Sequence, residues 1–336
     1  MRVRNSFFAL ALSSCVLSAP SAFTQSPALF EDRQLDEQLE AIAAAHHGKL
    51  AVYAHNLRTG QTASLSPDLP VKTASTIKLG ILLDAAEQTR DGKARLDEKL
   101  VLNHNNQVEG SGVLAQLTPP LALTLGDTLT LMVILSDNTA TNMAIDRLGL
   151  QHIDATLRAA GLKQTWLYKK VYVPPSGPMP PDQPQFGLGK TTPREMASIM
   201  ERLAECRLAL DGSGPVSGDG KLCGALLHML RNQQDHDGLP RYIESFDTSE
   251  HGSAIANKTG ALDQVRNVAL ISTKAGPIVI AAFTFENVDQ RWNGENEGEV
   301  TLARIGKAIV DRWSPEGLDP QAFPWENPLK PVSALR

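Results

Sequence analysis

The sequence is poor in the features that mark several large classes of protein. It has 3 cysteines in 336 residues, none in Cys-x-x-Cys spacing, which argues against a disulfide scaffold, a zinc ribbon and a thioredoxin-type site. The 32 Lys and Arg residues do not exceed the 37 Asp and Glu residues, so nucleic acid is not an expected partner. No apolar run is long enough to span a bilayer comfortably. A hydrophobic content of 42% is typical of a globular protein with a sizeable core.

The N-terminal residues resemble an export signal rather than part of the fold. A short basic start is followed by a mostly apolar run from Phe7 to Ala19 and then by small residues, the pattern of a secretory signal peptide. We therefore predict that residues 1–22 are removed and that the mature protein is secreted or periplasmic. The stretch Leu12–Cys15 also fits a lipobox, in which case Cys15 would be acylated and become the mature N-terminus.

The other two cysteines, Cys206 and Cys223, would meet an oxidising compartment after export. They can form a disulfide if the fold brings their Cα atoms within about 7 Å of each other. The alternative is a pair of separately buried thiols, and the sequence leaves both open.

Predicted strands at both ends of the chain enclose a long helical section. A helix over 31–47 precedes a hairpin of strands 49–55 and 61–65, and strands at 268–271 and 278–283 precede a last helix. Helical periodicity dominates from about 90 to 232. The sequence predicts an α/β part, residues 23–70 and 233–336, whose antiparallel sheet comes from both termini and is flanked by helices. A mainly helical part, residues 71–232, is inserted, and the two form one catalytic unit.

Three short motifs occur in order along the chain: Ser75-Thr76-Ile77-Lys78, Ser136-Asp137-Asn138 and Lys258-Thr259-Gly260. The first pattern alone carries little information, whereas each of the two tripeptides is rare by chance. Together and in this order they resemble the signature of class A β-lactamases and penicillin-binding proteins.

The spacing of the first motif fits nucleophilic catalysis. At the start of a helix, Ser75 and Lys78 share one face, so a neutral lysine amine can serve as the base for the serine hydroxyl. The backbone N–H of Ser75, at the helix N-terminus, would face a developing oxyanion. The second oxyanion donor would be the backbone N–H of Ala261, directly after the third motif.

The other two motifs offer groups for proton transfer and substrate binding. Ser136 can pass a proton to the leaving nitrogen, and Asn138 can hold the amide of the substrate's side chain. Lys258 and Thr259 supply a charge and a hydroxyl for a substrate carboxylate, while Gly260 lets a substrate backbone lie against the strand.

Two charged residues beside these motifs have structural alternatives. Asp137 is expected to hold its turn rather than to touch the substrate. Arg266 either adds positive charge near the carboxylate site or forms a structural salt bridge.

Residues 31–312 as a whole resemble the class A β-lactamase-type serine hydrolases. The resemblance rests on the opening helix and hairpin, on Gly110–Leu114, on Thr191–Ala197 and on Lys258–Asn267. It implies the β-lactamase/transpeptidase-like fold and catalysis by the serines and lysines of the three motifs. The interval from the second motif to the third is longer than is usual in the family.

The chain departs from the family at one point. Efficient class A enzymes carry in their omega loop a Glu, followed by an Asn, that activates the deacylating water, but residues 161–192 contain no Glu and only one acid, Asp182. That acid lies in the stretch 173–189, whose six prolines predict a stiff, non-helical loop. Asp182 is a hypothetical substitute base, and Glu109 is a weaker candidate. Without a positioned base, which contributes about 10²- to 10⁴-fold, the acyl-enzyme should be long-lived.

The leading hypothesis is an exported serine hydrolase that is acylated at Ser75 by β-lactams and hydrolyses the β-lactam amide, though slowly. The alternatives are a D-Ala-D-Ala carboxypeptidase acting on peptidoglycan stem peptides and a sensor trapped as its acyl-enzyme. No metal or organic cofactor is expected, because side chains, backbone and water fill every role. The chain is expected to be a monomer that binds a small molecule. Four residues lack a recognised metal-ligand spacing: His228, Asp235, His236 and Asp237.

Overall fold

The structure is a computed structural model that describes residues 27–322, apart from residues 178, 211–217, 244–246, 249–251 and 263. The predicted signal peptide and the alternative lipid-attachment site, Cys15, lie outside the described residues. None of the described helices combines the length and the apolar character needed to cross a membrane.

The described residues form thirteen strands and nine helices. The strands are β1 (Phe30–Glu31), β2 (Lys49–Asn56), β3 (Gln61–Leu65), β4 (Val71–Lys72), β5 (Lys99–Leu102), β6 (Leu121–Thr124), β7 (Trp166–Leu167), β8 (Gly189–Thr191), β9 (Asp247–Thr248), β10 (Gly252–Ser253), β11 (Ile255–Ala261), β12 (Val265–Thr273) and β13 (Gly276–Phe285). The helices are α1 (Arg33–Ala44), α2 (Lys78–Arg90), α3 (Leu125–Ile134), α4 (Asn138–Leu148), α5 (Leu150–Ala159), α6 (Gln183–Phe186), α7 (Pro193–Ala204), α8 (Asp219–Arg231) and α9 (Glu297–Trp313).

Six strands form the main sheet, in the order β1-β3-β2-β13-β12-β11. Strands from the two ends of the chain meet where β2 pairs with β13, as the sequence predicted. Neighbouring strands are antiparallel except at one edge, where β1 is parallel to β3, so the sheet is mixed rather than purely antiparallel. The opposite edge is β11, which carries the third motif.

Both faces of the sheet are buried, because side chains of β12 alternate between two apolar cores. Val268 and Leu270 belong to one core, and Ala269 and Ile271 to the other. Helices α1 and α9 cover the second core, while the first core continues into the helical section. This two-sided burial explains the nearly continuous apolar runs of the sheet strands.

Helix α2 runs through the centre of the helical section. Its residues 78–86 are all buried, which is the pattern of a core helix rather than a surface helix. Its first residue is Lys78, and a 3₁₀ turn over Ala74–Ile77 leads directly into it. The fold therefore places the first motif at the start of a buried helix.

The predicted helices and sheet strands are found, with ends shifted by a few residues. The proline-rich segment is a difference, because it contains the short helix α6, where a non-helical loop was predicted. Pro184 lies in the first turn of that helix, where its missing N–H costs no hydrogen bond. The short pairings β4-β8-β7 and β5-β6 were not predicted. The division at residues 70 and 232 stays a prediction.

A disulfide joins Cys206 to Cys223, with their Cα atoms 5.7 Å apart. Both residues are fully buried. The bond links the chain just after α7 to α8, so it fastens two helices of the helical section to each other.

Candidate active site

Ser75 lies half-buried in the 3₁₀ turn that precedes α2. The residue before it, Ala74, has a φ of 43°, a left-handed conformation that residues with side chains normally avoid. Such a conformation persists only where the surrounding structure enforces it, and it is frequent at active sites. The fold therefore holds Ser75 at the N-terminal end of a buried helix at a cost in backbone strain.

Ser136 is held in a second strained turn, with a φ of 53°. Its carbonyl oxygen accepts hydrogen bonds from Lys78 Nζ at 2.6 Å and from Ser111 Oγ at 2.7 Å. Two residues further on, the buried Asn138 donates from Nδ2 to the carbonyl of Glu109 at 3.1 Å. The second motif is thus attached on one side to α2 and on the other to the loop over 109–111.

Asp137 holds this turn, as the sequence predicted. One carboxylate oxygen accepts from the backbone N–H groups of Val113 and Leu114, at 2.7 and 2.8 Å. The other accepts from the N–H of Ala140 at 2.8 Å and caps α4. Because its carboxylate binds only these backbone N–H groups among the described residues, Asp137 positions the Ser136 turn and the start of α4.

The amine of Lys78 is fully buried between the first two motifs. It donates to Ser136 Oγ at 3.0 Å and to Asn138 Oδ1 at 3.3 Å, besides the Ser136 carbonyl. Burial, followed by the charge of Lys258, holds the pKa of Lys78 well below its usual range. Among the described residues no hydrogen bond joins this amine to Ser75 Oγ, so its role as the base for Ser75 stays a prediction.

Lys258, on strand β11, brings a second buried amine to the same hydroxyl. Its Nζ donates to Ser136 Oγ at 3.1 Å and to the carbonyl of Thr259 at 2.8 Å. Burial lowers the pKa of Lys258 to about 7, a shift that the charge of Asp235 partly opposes. Ser136 Oγ therefore lies between two amines that both lose protons more readily than an exposed lysine.

Gly260 brings the edge strand β11 directly against the turn that contains Ser75. A Cβ atom at this position would lie 3.0 Å from the backbone N of Ser75 and 3.1 Å from the carbonyl oxygen of Thr73. Only glycine allows this approach without displacing backbone. The next residue, Ala261, is the exposed end of the same strand, on the edge of the sheet where no further strand pairs among the described residues.

Arg266 lies one strand further in, opposite Gly260 in the β11–β12 ladder. Its guanidinium donates to the carbonyl of Lys72 at 3.1 Å and to the carbonyl and side chain of Gln264 at 2.7 and 3.1 Å. These bonds join β12 to the chain that leads into the Ser75 turn. They support a positioning role for this arginine.

The two acids considered as deacylation bases have different surroundings. Asp182 is ion-paired with Lys190 Nζ at 2.5 Å and accepts a hydrogen bond from the Tyr168 hydroxyl at 3.0 Å. The Lys190 hydrogen bond holds the pKa of Asp182 below its usual range. Glu109 is exposed, and its backbone carbonyl binds Asn138. As a base, Asp182 would need to give up one of these partners.

One group of potential metal ligands lies away from the motifs. The ligand atoms of Asp84, Glu87 and His152 all lie within 4.8 Å of one another. The Asp84 carboxylate already accepts from His152 at 2.6 Å, from Thr156 at 2.6 Å and from Gln88 at 2.8 Å. These bonds tie α2 to α5, which accounts for the group as helix packing.

Sequence reasoning missed two residues beside the second motif. Asn142, 2% exposed, binds both the N–H and the carbonyl of Val171, at 2.8 and 3.0 Å. It follows Asn138 by four residues on one helix face, a spacing that could have revealed it. Tyr172, exposed over 68% of its surface, comes next in the chain, and no local pattern marks it.

The chain resembles known proteins over nearly its whole described length. The β-lactamase of Sphaerobacter thermophilus is 29% identical, with a TM-score of 0.69 over 84% of this chain and 97% of that one. A mutant of PBP-A, solved as an acyl-enzyme complex with penicillin G, is 22% identical, with a TM-score of 0.69 over 85% and 98%. An ancestral class A β-lactamase, GNCA, is also 22% identical, with a TM-score of 0.67 over 83% and 100%.

These likenesses assign the β-lactamase/transpeptidase-like fold that the sequence predicted. No curated protein matches the sequence. The model of the β-lactamase enzyme family matches residues 34–313, an interval that includes all three motifs. The chain therefore belongs to the β-lactamase enzyme family.

Proposed function

We propose that this protein is an active-site serine hydrolase that is acylated at Ser75 by β-lactams and then releases the opened product slowly. The observation that carries the proposal is the meeting of two buried amines, from Lys78 and Lys258, on the hydroxyl of Ser136 beside the Ser75 turn. Such a cluster supplies a base and a proton relay within hydrogen-bond reach of one another.

Acylation follows from these groups. Ser75 Oγ attacks the β-lactam carbonyl carbon while its proton passes to the neutral amine of Lys78. The carbon–nitrogen bond of the ring then breaks, and the proton moves through Ser136 Oγ to the leaving nitrogen. The backbone N–H groups of Ser75 and Ala261 would stabilise the developing oxyanion.

The third motif would bind the acyl donor. A charged Lys258 and the Thr259 hydroxyl attract a substrate carboxylate. Among the described strands β11 is the edge of the sheet, along which a peptide-like backbone can lie. Gly260 keeps this edge close to Ser75. Both β-lactams and acyl-D-Ala-D-Ala peptides combine a carboxylate with such a backbone.

A second candidate is a penicillin-binding peptidase or sensor with a persistent acyl-enzyme. It is favoured by the absence of glutamate from residues 161–192 and by the ion pair that engages Asp182. In that case Ser75 would be acylated by the same steps, but water would attack the ester rarely.

The test is intact mass spectrometry of the mature protein mixed with benzylpenicillin, followed over time with an assay for ring-opened product. We expect an adduct on the wild type and on the control Ser64→Ala, and none on Ser75→Ala. An adduct that decays while product exceeds one equivalent supports the hydrolase, and one that persists supports the second candidate. Labelling of Ser75→Ala would overturn both.

A further inference from the structure

Tyr172 is an exposed aromatic residue in a costly backbone conformation. Its φ is 55°, in the left-handed region, and 68% of its surface is exposed. A bulky residue adopts this conformation only where the surrounding structure imposes it. The ring is exposed, so its burial does not offset this strain, and contacts of the neighbouring residues must hold Tyr172 in this conformation.

The preceding residue is clamped to helix α4. Asn142 binds Val171 through both its backbone groups, and Lys170 is ion-paired with Asp146 of the same helix at 2.8 Å. Because α4 begins at Asn138, these contacts fix the position of the Tyr172 backbone relative to the second motif.

The ring of Tyr172 lies against Gly110, on the opposite loop. A Cβ atom on Gly110 would lie 3.1 Å from both ring carbon Cε2 and the hydroxyl of Tyr172, and 2.5 Å from Asn138 Nδ2. Gly110 has a φ of 94° and so needs to be glycine for its backbone as well. The tyrosine ring and the side-chain amide of Asn138 thus both lie next to the Cα atom of Gly110. A side chain at position 110 would displace them.

We propose that Tyr172 forms the wall of the subsite for the acyl side chain of the substrate and favours substrates in which that side chain is aromatic. The inference rests on the proposed function and on the role predicted for Asn138 from the sequence, which is to bind the amide that precedes this group. A substituent beyond that amide would lie beside the open face of the ring, where an aromatic group gains from offset or edge-to-face packing.

The test compares acylation by two penicillins with the same ring system: benzylpenicillin, whose 6-amino group carries a phenylacetyl group, and 6-aminopenicillanic acid, whose 6-amino group is free. The second-order rate constant for adduct formation is measured by quenched-flow mass spectrometry. For Tyr172→Ala we expect a loss of about 2- to 12-fold with benzylpenicillin and no loss with 6-aminopenicillanic acid. Tyr172→Phe, which keeps the ring, should retain the wild-type ratio.

The matched control is Tyr242→Ala, which removes another exposed tyrosine, one that lies beside Arg241. It should leave both rate constants unchanged. An equal loss with both penicillins in Tyr172→Ala, or no loss with either, would overturn the assignment of Tyr172 while leaving the proposed function intact. A wild type that neither penicillin labels would overturn the proposed function and this inference with it.

Discussion

The hydroxyl of Ser136 accepts hydrogen bonds from both lysine amines of the candidate active site. Lys78 and Lys258 approach it to 3.0 and 3.1 Å, and both amines are fully buried. Two neighbouring ammonium groups repel each other and are poorly solvated here, so at most one is expected to keep its proton at neutral pH. Since the pKa of Lys78 is held well below its usual range, Lys258 is the better candidate to stay charged.

The low pKa of Lys258 predicts that acylation becomes slower as the pH rises above 7. Burial lowers the pKa of Lys258 to about 7 in the free protein, so this lysine is charged below pH 7 and neutral above it. If its charge attracts the substrate carboxylate, the second-order acylation rate constant should fall above pH 7, by up to about tenfold per pH unit. The measurement is the rate of adduct formation from pH 5 to pH 9.

The matched variant is Lys258→Arg, which keeps its charge throughout this range. At pH 6 its acylation rate constant is expected to be lower than that of the wild type, because a guanidinium group differs in shape from an ammonium group. Between pH 7 and pH 9 this rate constant is expected to show no decline. A wild-type profile that is flat up to pH 9 would contradict the assignment of the carboxylate-binding charge to Lys258.

The separate elements differ in how far the sequence predicts them. Helix α1 was predicted over 31–47 and is found at Arg33–Ala44, because its apolar periodicity is strong. The pairing β4-β8-β7 was missed, since strands of two or three residues have no period to detect. The contacts of Tyr172 were missed for a related reason: they join loops that are about sixty residues apart and depend on packing alone.

The three motifs were found because each is local, whereas their mutual geometry was not predictable in detail. The sequence predicted that Lys78 lies on the Ser75 face of its helix. The structure adds that its amine binds Ser136 and Asn138, contacts that depend on how α2 and α4 pack. Periodicity fixes the face of a helix but not the partner that the face meets.

At the same scale, the segment between β7 and β8 contains Asp182, whose proposed role as the deacylation base can be tested by substitution. We expect Asp182→Asn to change the deacylation rate by less than about twofold, since Lys190 and Tyr168 occupy its carboxylate. Losing this partly exposed ion pair should lower the free energy of unfolding by about 1 kcal/mol or less. Decay of the benzylpenicillin adduct measures the first effect, and urea unfolding the second.

Asp68→Asn is the control, because it removes another partly exposed ion pair, the one with Arg194. Deacylation that slows by about 10²-fold or more in Asp182→Asn alone would identify Asp182 as the deacylation base after all.

At the scale of the whole molecule, the main sheet and the helical section share an apolar core, and the helical section has a disulfide in addition. The sheet has apolar cores on both faces, while the chain after α7 is additionally fastened to α8 by the disulfide. The cysteines are separated by 17 residues, and closing a loop of about this size stabilises a protein by about 3 kcal/mol, largely by restricting the unfolded chain. The bond should therefore affect stability without taking part in acylation.

We accordingly expect the double variant Cys206→Ser, Cys223→Ser to unfold at lower urea concentration, with a loss of about 2–4 kcal/mol in the free energy of unfolding. Its acylation by benzylpenicillin at 25 °C should stay within about twofold of the wild type, because none of the three motifs includes either cysteine. Dithiothreitol should destabilise the wild type by a similar amount and leave the double variant unchanged. Two outcomes would show that the disulfide is not the source of this stability. One is the detection of free thiols at both Cys206 and Cys223 in denatured, unreduced wild-type protein. The other is an equal effect of dithiothreitol on the free energy of unfolding of the wild type and of the double variant.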